Sequence, residues 1–143
     1  MSKLVPATTS GPTETDIPVV HFATGLPAFP DAKRFALAPW GGVESPFRRL
    51  QCLDDPDLAF VVTEPTLFFP DYAPVLPDDA VERLALERAD DALILVMVTV
   101  GKAARDATAN LLGPIVVHQQ TLDAEQVVLA EYDHSARALL ASP

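Results

Sequence analysis

The sequence has few of the residues from which active sites are usually built. Its 143 residues include one cysteine, Cys52, and three histidines, His21, His118 and His134. A single cysteine excludes an internal disulfide, and none of the histidines has the spacing of a zinc motif. Cys52 lies in an apolar segment, where a thiol packs as a small hydrophobic group. We therefore predict no catalytic residue, no metal site and no cofactor.

Basic residues are also scarce. Ten Lys and Arg stand against twenty Asp and Glu, which gives a formal net charge of −10. Nucleic acids and anionic membranes attract proteins through basic patches, so we expect direct binding to neither of them. Most of the excess acid lies in residues 54–91, which hold eleven acids and two bases. A basic protein is the partner that this charge distribution favours.

Long apolar runs are absent. The longest, residues 92–98, is far shorter than the roughly 18 residues that a membrane-spanning helix needs. No basic-then-apolar leader opens the sequence, so the predicted compartment is the cytoplasm. Aromatic residues make up only 7% of the chain, yet hydrophobic residues reach 49%, which is typical of one globular core.

The composition changes once along the chain. Residues 1–16 are rich in Thr, Ser and Pro and offer little apolar surface to bury, so they are predicted to be a flexible N-terminal tail. Residues 17–143 have the size of one domain and contain no repeat. We predict a single β domain over that range.

Short apolar segments separated by Gly and Pro turns predict strands. The predicted strands are residues 17–22, 35–38, 47–53, 58–63, 92–100, 115–118 and 126–129. Residues 92–100 lack polar alternation, so this strand is expected to be buried on both faces. Many short strands with frequent turns predict a mainly β protein, with a small antiparallel β-barrel-like fold or a sandwich.

One or two short helices complete the predicted fold. Asp79 and Glu82 are spaced to satisfy backbone donors at a helix N-terminus, and this helix is expected to end near Glu87. A second helix is predicted at the C-terminus from the spacing of four residues. They are Tyr132, Ala136, Leu139 and Leu140.

An acidic turn is predicted between two of the strands. Pro56 fixes its own φ and lies among Asp54, Asp55 and Asp57, whose carboxylates can bond local amides. A calcium loop is the alternative, but the Gly and Glu that such a loop requires are missing. A chain reversal with a capping role is therefore favoured over a cation site.

A proline-rich loop presents three aromatic residues close together. It contains Phe68, Phe69, Asp71 and Tyr72, and Pro70 stiffens it. Rigid aromatic area beside a negative charge is typical of an interface anchor, so these four residues form the predicted partner-binding site. The alternative is a plug that fills one end of a barrel.

Four short motifs, in this order, resemble the FliW family of bacterial flagellar assembly factors. They are Gly25-Leu26-Pro27-Ala28-Phe29, the acidic turn with its flanks over residues 50–62, Phe69-Pro70-Asp71-Tyr72, and residues 108–117. The resemblance extends over about residues 18–129. Ala28 stands where the family usually has Gly, and the chain after Leu129 lacks the basic, proline-containing ending of many members.

The resemblance implies a non-enzymatic protein with a small β-barrel-like fold and two alternating partners. One is flagellin, the filament subunit. The other is CsrA, a small basic dimer that represses translation by covering messenger RNA. Such a protein would act as a CsrA antagonist and a flagellin-binding chaperone, and would relieve the translational repression of flagellin. The alternatives are a small ligand-binding β-barrel or minor enzyme, and a structural subunit of a larger assembly.

Overall fold

A computed structural model describes residues 17–27, 29–40, 45–99, 107–129 and 137–140, and they form mainly strands. The strands are β1 (Val19–Phe22), β2 (Arg34–Pro39), β3 (Phe47–Cys52), β4 (Ala59–Thr63), β5 (Ala92–Thr99), β6 (Thr108–Ala109), β7 (Ile115–His118), β8 (Asp123–Gln126) and β9 (Ala138–Leu139). One α-helix, α1, covers Asp78–Arg83, and two 3₁₀ turns cover Pro65–Leu67 and Ala89–Asp91. The predicted mainly β fold is confirmed.

Seven of the strands close into a barrel in the order β4-β3-β2-β1-β8-β7-β5, with β5 pairing back to β4. Strands β6 and β9 continue the sheet outward from β5. The pairings of the described strands are antiparallel except that of β1 with β8, which is parallel and joins His21 to Asp123 and Phe22 to Ala124. The barrel is therefore closed by contacts between residues about a hundred positions apart, which no local turn signal predicts.

Alternate residues of every barrel strand point inward and fill the barrel. The interior cluster contains Val20, Phe22, Phe35, Leu37, Leu50, Cys52, Val62, Leu95, Ile115, Val117 and Ala124, all of them buried. Cys52 thus packs in the core, as an unreactive thiol would. Side chains fill this interior, as they do in other small barrels.

Two further clusters cover the outer face of β5 and β7. One packs Tyr72 and Leu111 on Val96, and the other packs Ala80 of α1 and Leu84, the residue after α1, on Val116. Inward-facing Leu95 and outward-facing Val96 are both fully buried. The predicted burial of this strand on both faces is therefore confirmed at its centre, and a loop and a helix provide the second layer.

Gly25 explains why the first family motif contains a glycine. Its φ is +69°, and a Cβ at this position would lie 2.3 Å from the carbonyl oxygen of Pro30. Only glycine has no Cβ and adopts this conformation at little cost. The turn that follows is closed by backbone hydrogen bonds between Leu26 and Phe29.

Two predicted elements near the C-terminus were wrong. Strand β8 covers Asp123–Gln126, three residues earlier than predicted. The amides of Val127 and Leu129 still donate to the carbonyl oxygens of Pro114 and Leu112, but Pro114 has no N–H to donate in return, so the regular ladder ends at Gln126. Ala138–Leu139 is a strand paired with β6, whereas a helix was predicted there. Tyr132 and Ala136 of that predicted helix lie outside the described residues.

Three further predictions concern the helix, the N-terminal tail and the membrane. Helix α1 ends at Arg83, earlier than the predicted Glu87, and its N-cap, Pro77, makes no side-chain capping bond. Residues 1–16 lie outside the described residues, so the predicted tail stays a prediction. Among the described residues, no helix is long and apolar enough to cross a membrane.

Candidate partner-binding surface

Tyr72 anchors the predicted partner-binding loop to the barrel. Its side chain is buried, and its hydroxyl donates a 2.6 Å hydrogen bond to the carbonyl oxygen of Leu111. Burial raises the pKa of Tyr72 to about 12, because the charged phenolate loses its hydration there. Tyr72 is therefore a structural residue, but it packs on the outer face of β5 and does not fill an end of the barrel.

Phe68 and Phe69 are half-buried against the same cluster as Tyr72. Phe68 stacks on Phe47 with ring centroids 5.8 Å apart, and Phe47 meets Trp40 edge-on at 6.3 Å. Trp40 is 40% exposed, so the aromatic row ends at the surface. The row was not predicted, because Trp40 follows β2 and Phe47 begins β3, and only the pairing of these strands brings the two residues to this loop.

Asp71 is exposed beside these rings, so the four predicted residues do lie together but differ in accessibility. Asp71 and the outer edges of Phe68 and Phe69 are available to a partner, whereas Tyr72 supports them from below. A proline-stiffened loop held in this way would lose little entropy on docking. The role of the four residues in binding stays a prediction.

The acidic section of the sequence is divided into two surfaces by the fold. The turn with Asp54, Asp55 and Asp57 joins β3 to β4, whereas residues 64–91 join β4 to β5 and so leave from the opposite end of β4. We call residues 64–91 the acidic arm. It holds eight acids and two arginines and packs along the outer face of β5 and β7.

The acidic turn is held by its own polar groups. Asp55 accepts a 3.0 Å hydrogen bond from the amide of Asp57, as predicted for a capping aspartate. Asp54 pairs with Arg34 at 2.8 Å, and this hydrogen bond lowers the pKa of Asp54. No group of three or more His, Cys, Asp or Glu side chains that could hold a metal ion occurs in the described ranges.

Helix α1 is tied to the barrel by Arg83. Its guanidinium donates to Glu125 of β8, with Nε 2.9 Å from Oε1, and to Asp79 one turn earlier at 3.2 Å. These bonds raise the pKa of Arg83 and lower the pKa of Asp79. One of the two basic groups of the acidic arm is thereby neutralised, and the arm presents a surface dominated by carboxylates.

A groove opens between α1 and the start of β5. Its apolar walls are Leu76, Val81, Leu86, Ala92 and Ile94, and its volume is about 370 Å³. Glu87 and Arg88 lie at its edge. The groove was not predicted from the sequence, because its walls come from α1, the segments before and after it, and β5.

The histidines do not form a site in the part of the chain that is described. His21 is exposed, and His118 is buried, where its Nδ1 accepts hydrogen bonds from the amides of Gln120 and Thr121 at 3.1 and 3.3 Å. His118 therefore shapes the turn between β7 and β8. His134 lies outside the described residues.

The closed seven-stranded barrel with its acidic arm and aromatic loop agrees with the resemblance to FliW seen in the sequence. A family model and a solved structure each identify the family independently. The FliW protein family model matches residues 6–140. The chain belongs to the FliW family. The crystal structure of a flagellar assembly factor FliW superposes with a TM-score of 0.81 at 34% sequence identity, covering 94% of this chain and 92% of that one.

Curated FliW relatives are similar over most of their length. The flagellar assembly factor FliW of Bacillus pumilus is 37% identical over 122 residues, which cover 85% of this chain and 84% of the relative. That of Moorella thermoacetica is 39% identical over 121 residues, covering 83% and 75%. The family-model match over residues 6–140 includes the barrel, the acidic turn and the acidic arm.

Proposed function

We propose that this protein binds the translational regulator CsrA and lowers its affinity for RNA, and that it binds flagellin as the alternative partner. In this way it relieves the translational repression of flagellin and acts as a flagellin chaperone in the cytoplasm. The proposal refines the family assignment, since the relatives are named as flagellar assembly factors.

The acidic arm is the observation that carries the proposal. Its eight acids and two arginines lie on one continuous segment, and Glu125 and Asp79 already neutralise Arg83. A basic RNA-binding protein docked beside such a surface meets a field that repels phosphates. The antagonism of RNA binding then follows in part from charge, without any imitation of RNA.

The test is a gel-shift titration of CsrA bound to a target transcript from the same organism. Added protein is expected to release the RNA, and the release should weaken as salt rises because surface charges are screened. Purified flagellin added in excess should restore the CsrA–RNA complex, since the two partners alternate. Unchanged gel shifts at saturating protein would contradict the proposal.

Two charge reversals locate the interaction. Glu82→Lys alters the acidic arm, and Asp57→Lys makes the same charge change at the other end of β4, where the acidic turn lies. Both side chains are exposed. We expect Glu82→Lys to raise the concentration needed for RNA release about fivefold, in keeping with roughly 1 kcal/mol for one exposed charge pair. Asp57→Lys should behave as wild type, and an equal loss in both variants would exclude the acidic arm as the docking surface.

A further inference from the structure

We propose that the groove between α1 and β5 binds an apolar peptide segment of a partner protein whose flanks carry Lys or Arg. The groove is defined by Leu76, Val81, Leu86 and Ile94. The proposal does not depend on CsrA or flagellin being the partner. It concerns the kind of segment that this surface recognises.

The groove wall is built by the way α1 ends. Ala85 has a φ of 55°, and the amide of Leu86 donates to the carbonyl oxygen of Val81 at 3.0 Å, while the amide of Ala85 donates to that of Glu82 at 3.1 Å. This pair of bonds is a Schellman motif, which typically brings the residue after the left-handed position against the helix side chain three from its end. Val81 and Leu86 are therefore held together as one apolar wall.

The opposite edge of the groove is also fixed. Asp91 accepts hydrogen bonds from the amides of Glu87 and Arg88, both at 3.0 Å, and these bonds lower its pKa. The side chain of Gln119 donates to the carbonyl oxygen of Asp90 at 2.9 Å, which joins the segment to the end of β7. A groove with both walls held in place loses little entropy when a ligand enters.

The acidic residues around the groove favour a ligand whose flanking residues are basic. Asp78 lies one helical turn before Val81 on the same face, Glu87 is at the groove edge, and Asp90 follows the groove residue Ala89. Arg88 is the only basic group at this edge within the described residues, because Arg83 points to Glu125. An apolar segment with basic flanks is complementary to apolar walls with an acidic rim.

Charge also argues against a second copy of the chain as the occupant. Each copy carries a formal net charge of −10, so two acidic arms facing one another would repel. A small polar metabolite fits poorly as well, since the walls supply hydrocarbon and few convergent polar groups. A peptide segment with basic flanks can contact both the apolar walls and the acidic rim.

The experiment uses three fluorescein-labelled synthetic peptides and the full chain. The first has a Leu and Ile core with a Lys-Arg pair at each end, the second has the same core between Glu-Asp pairs, and the third has a Ser core between Lys-Arg pairs. We expect fluorescence anisotropy to show binding of the first peptide at least about tenfold tighter than of the other two, with a marked loss at high salt. Equal binding of all three peptides, or no binding of the first, overturns the proposal.

A variant pair shows where the peptide binds. Val81→Glu places a charge on the groove wall and is expected to weaken binding of the first peptide at least about tenfold. Leu53→Glu changes an exposed leucine just after β3, beside the acidic turn and away from the groove, and should leave peptide binding unchanged. Val81→Ser is the second variant if Val81→Glu lowers the melting temperature. Methyl NMR should place the peptide-induced shifts at Val81, Leu86 and Ile94. Equal loss in Val81→Glu and Leu53→Glu, or shifts elsewhere, excludes the groove.

Two other occupants give distinct results. If removal of residues 1–16 strengthens peptide binding, the chain's own N-terminal segment occupies the groove and the proposal is wrong. If sedimentation shows a dimer that Val81→Glu dissociates, a second copy covers the groove, and the proposal is equally wrong. None of these measurements contains CsrA, so a failure here leaves the RNA-release experiment to be judged on its own.

Discussion

At the scale of single residues, Tyr72 differs from its neighbours in the aromatic loop, because it is buried and supports the loop while they remain accessible to a partner. The sequence placed Phe68, Phe69, Asp71 and Tyr72 together, and the structure leaves three of them at least partly accessible. It buries Tyr72 because Leu111, 39 residues away in sequence, supplies the acceptor for its hydroxyl. That partner could not be predicted, because no local pattern links the two positions.

Tyr72→Phe is expected to destabilise the protein by about 1–3 kcal/mol, since the buried carbonyl of Leu111 loses its donor. Urea unfolding monitored by circular dichroism measures the change, and Asp71→Arg, at an exposed neighbour, serves as the matched control with little effect on stability.

The raised pKa of Tyr72 adds a pH signature to the same prediction. The folded state holds the phenol proton up to about pH 12, whereas the unfolded chain releases it near pH 10. The contribution to stability is therefore complete below pH 10 and is lost as the pH rises from 10 to 12. Ultraviolet titration of wild type should show a late-ionising tyrosine that is missing in Tyr72→Phe. Its presence in both proteins would contradict the assignment.

At the scale of elements, the end of α1 carries a local strain that substitution can relieve. Ala85 occupies the left-handed conformation with a φ of 55°, which costs a residue with a Cβ roughly 1–2 kcal/mol. Glycine avoids this cost but loses about 0.5–1 kcal/mol of backbone entropy.

We expect Ala85→Gly to stabilise the protein by roughly 0.5–1 kcal/mol, the net of these two effects. Thermal unfolding should show a higher midpoint. Ala73→Gly is the control, since Ala73 is exposed and has no positive φ, and it should be neutral or slightly destabilising. A lower midpoint for Ala85→Gly would show that the helix end is not strained.

Strands were predicted well where propensity and burial agree and poorly where tertiary packing decides. Ile115–His118 is buried throughout and was predicted with its observed bounds. Asp123–Gln126 has weak strand propensity, but β1 and β7 pair with it on either side. The apolar residues Val127 and Leu129, which led to the wrong bounds, are explained by contact with α1.

At the scale of the whole molecule, the pattern of short apolar segments predicted a mainly β protein and the composition predicted its net charge, but neither could predict where that charge lies on the surface. Residues 54–91 are one acidic stretch in the sequence, yet strand β4 divides them into the acidic turn and the acidic arm. The groove was likewise invisible in the sequence, because its walls come from α1, the segment after it and β5.

Removal of residues 1–16 tests the predicted domain boundary. Their composition offers too little apolar surface to offset the entropy of ordering them, so the melting temperature of the shortened chain is expected to equal that of the full chain within error. A chain shortened further, to begin at Phe22, is the control. It loses most of β1 and should not fold. A fall of several degrees after the first truncation would show that the fold begins earlier.

The parallel pairing of β1 with β8 is the shortest strand pairing in the barrel. Only two residue pairs connect these strands, whereas β2 and β3 share five. Loss of the hydrogen bonds between β1 and β8 would leave the backbone of both strands unpaired, and unpaired strand edges can add further strands. Opening of the barrel at this pairing would therefore allow β1 of one molecule to pair with β8 of the next, in an open chain of exchanged strands.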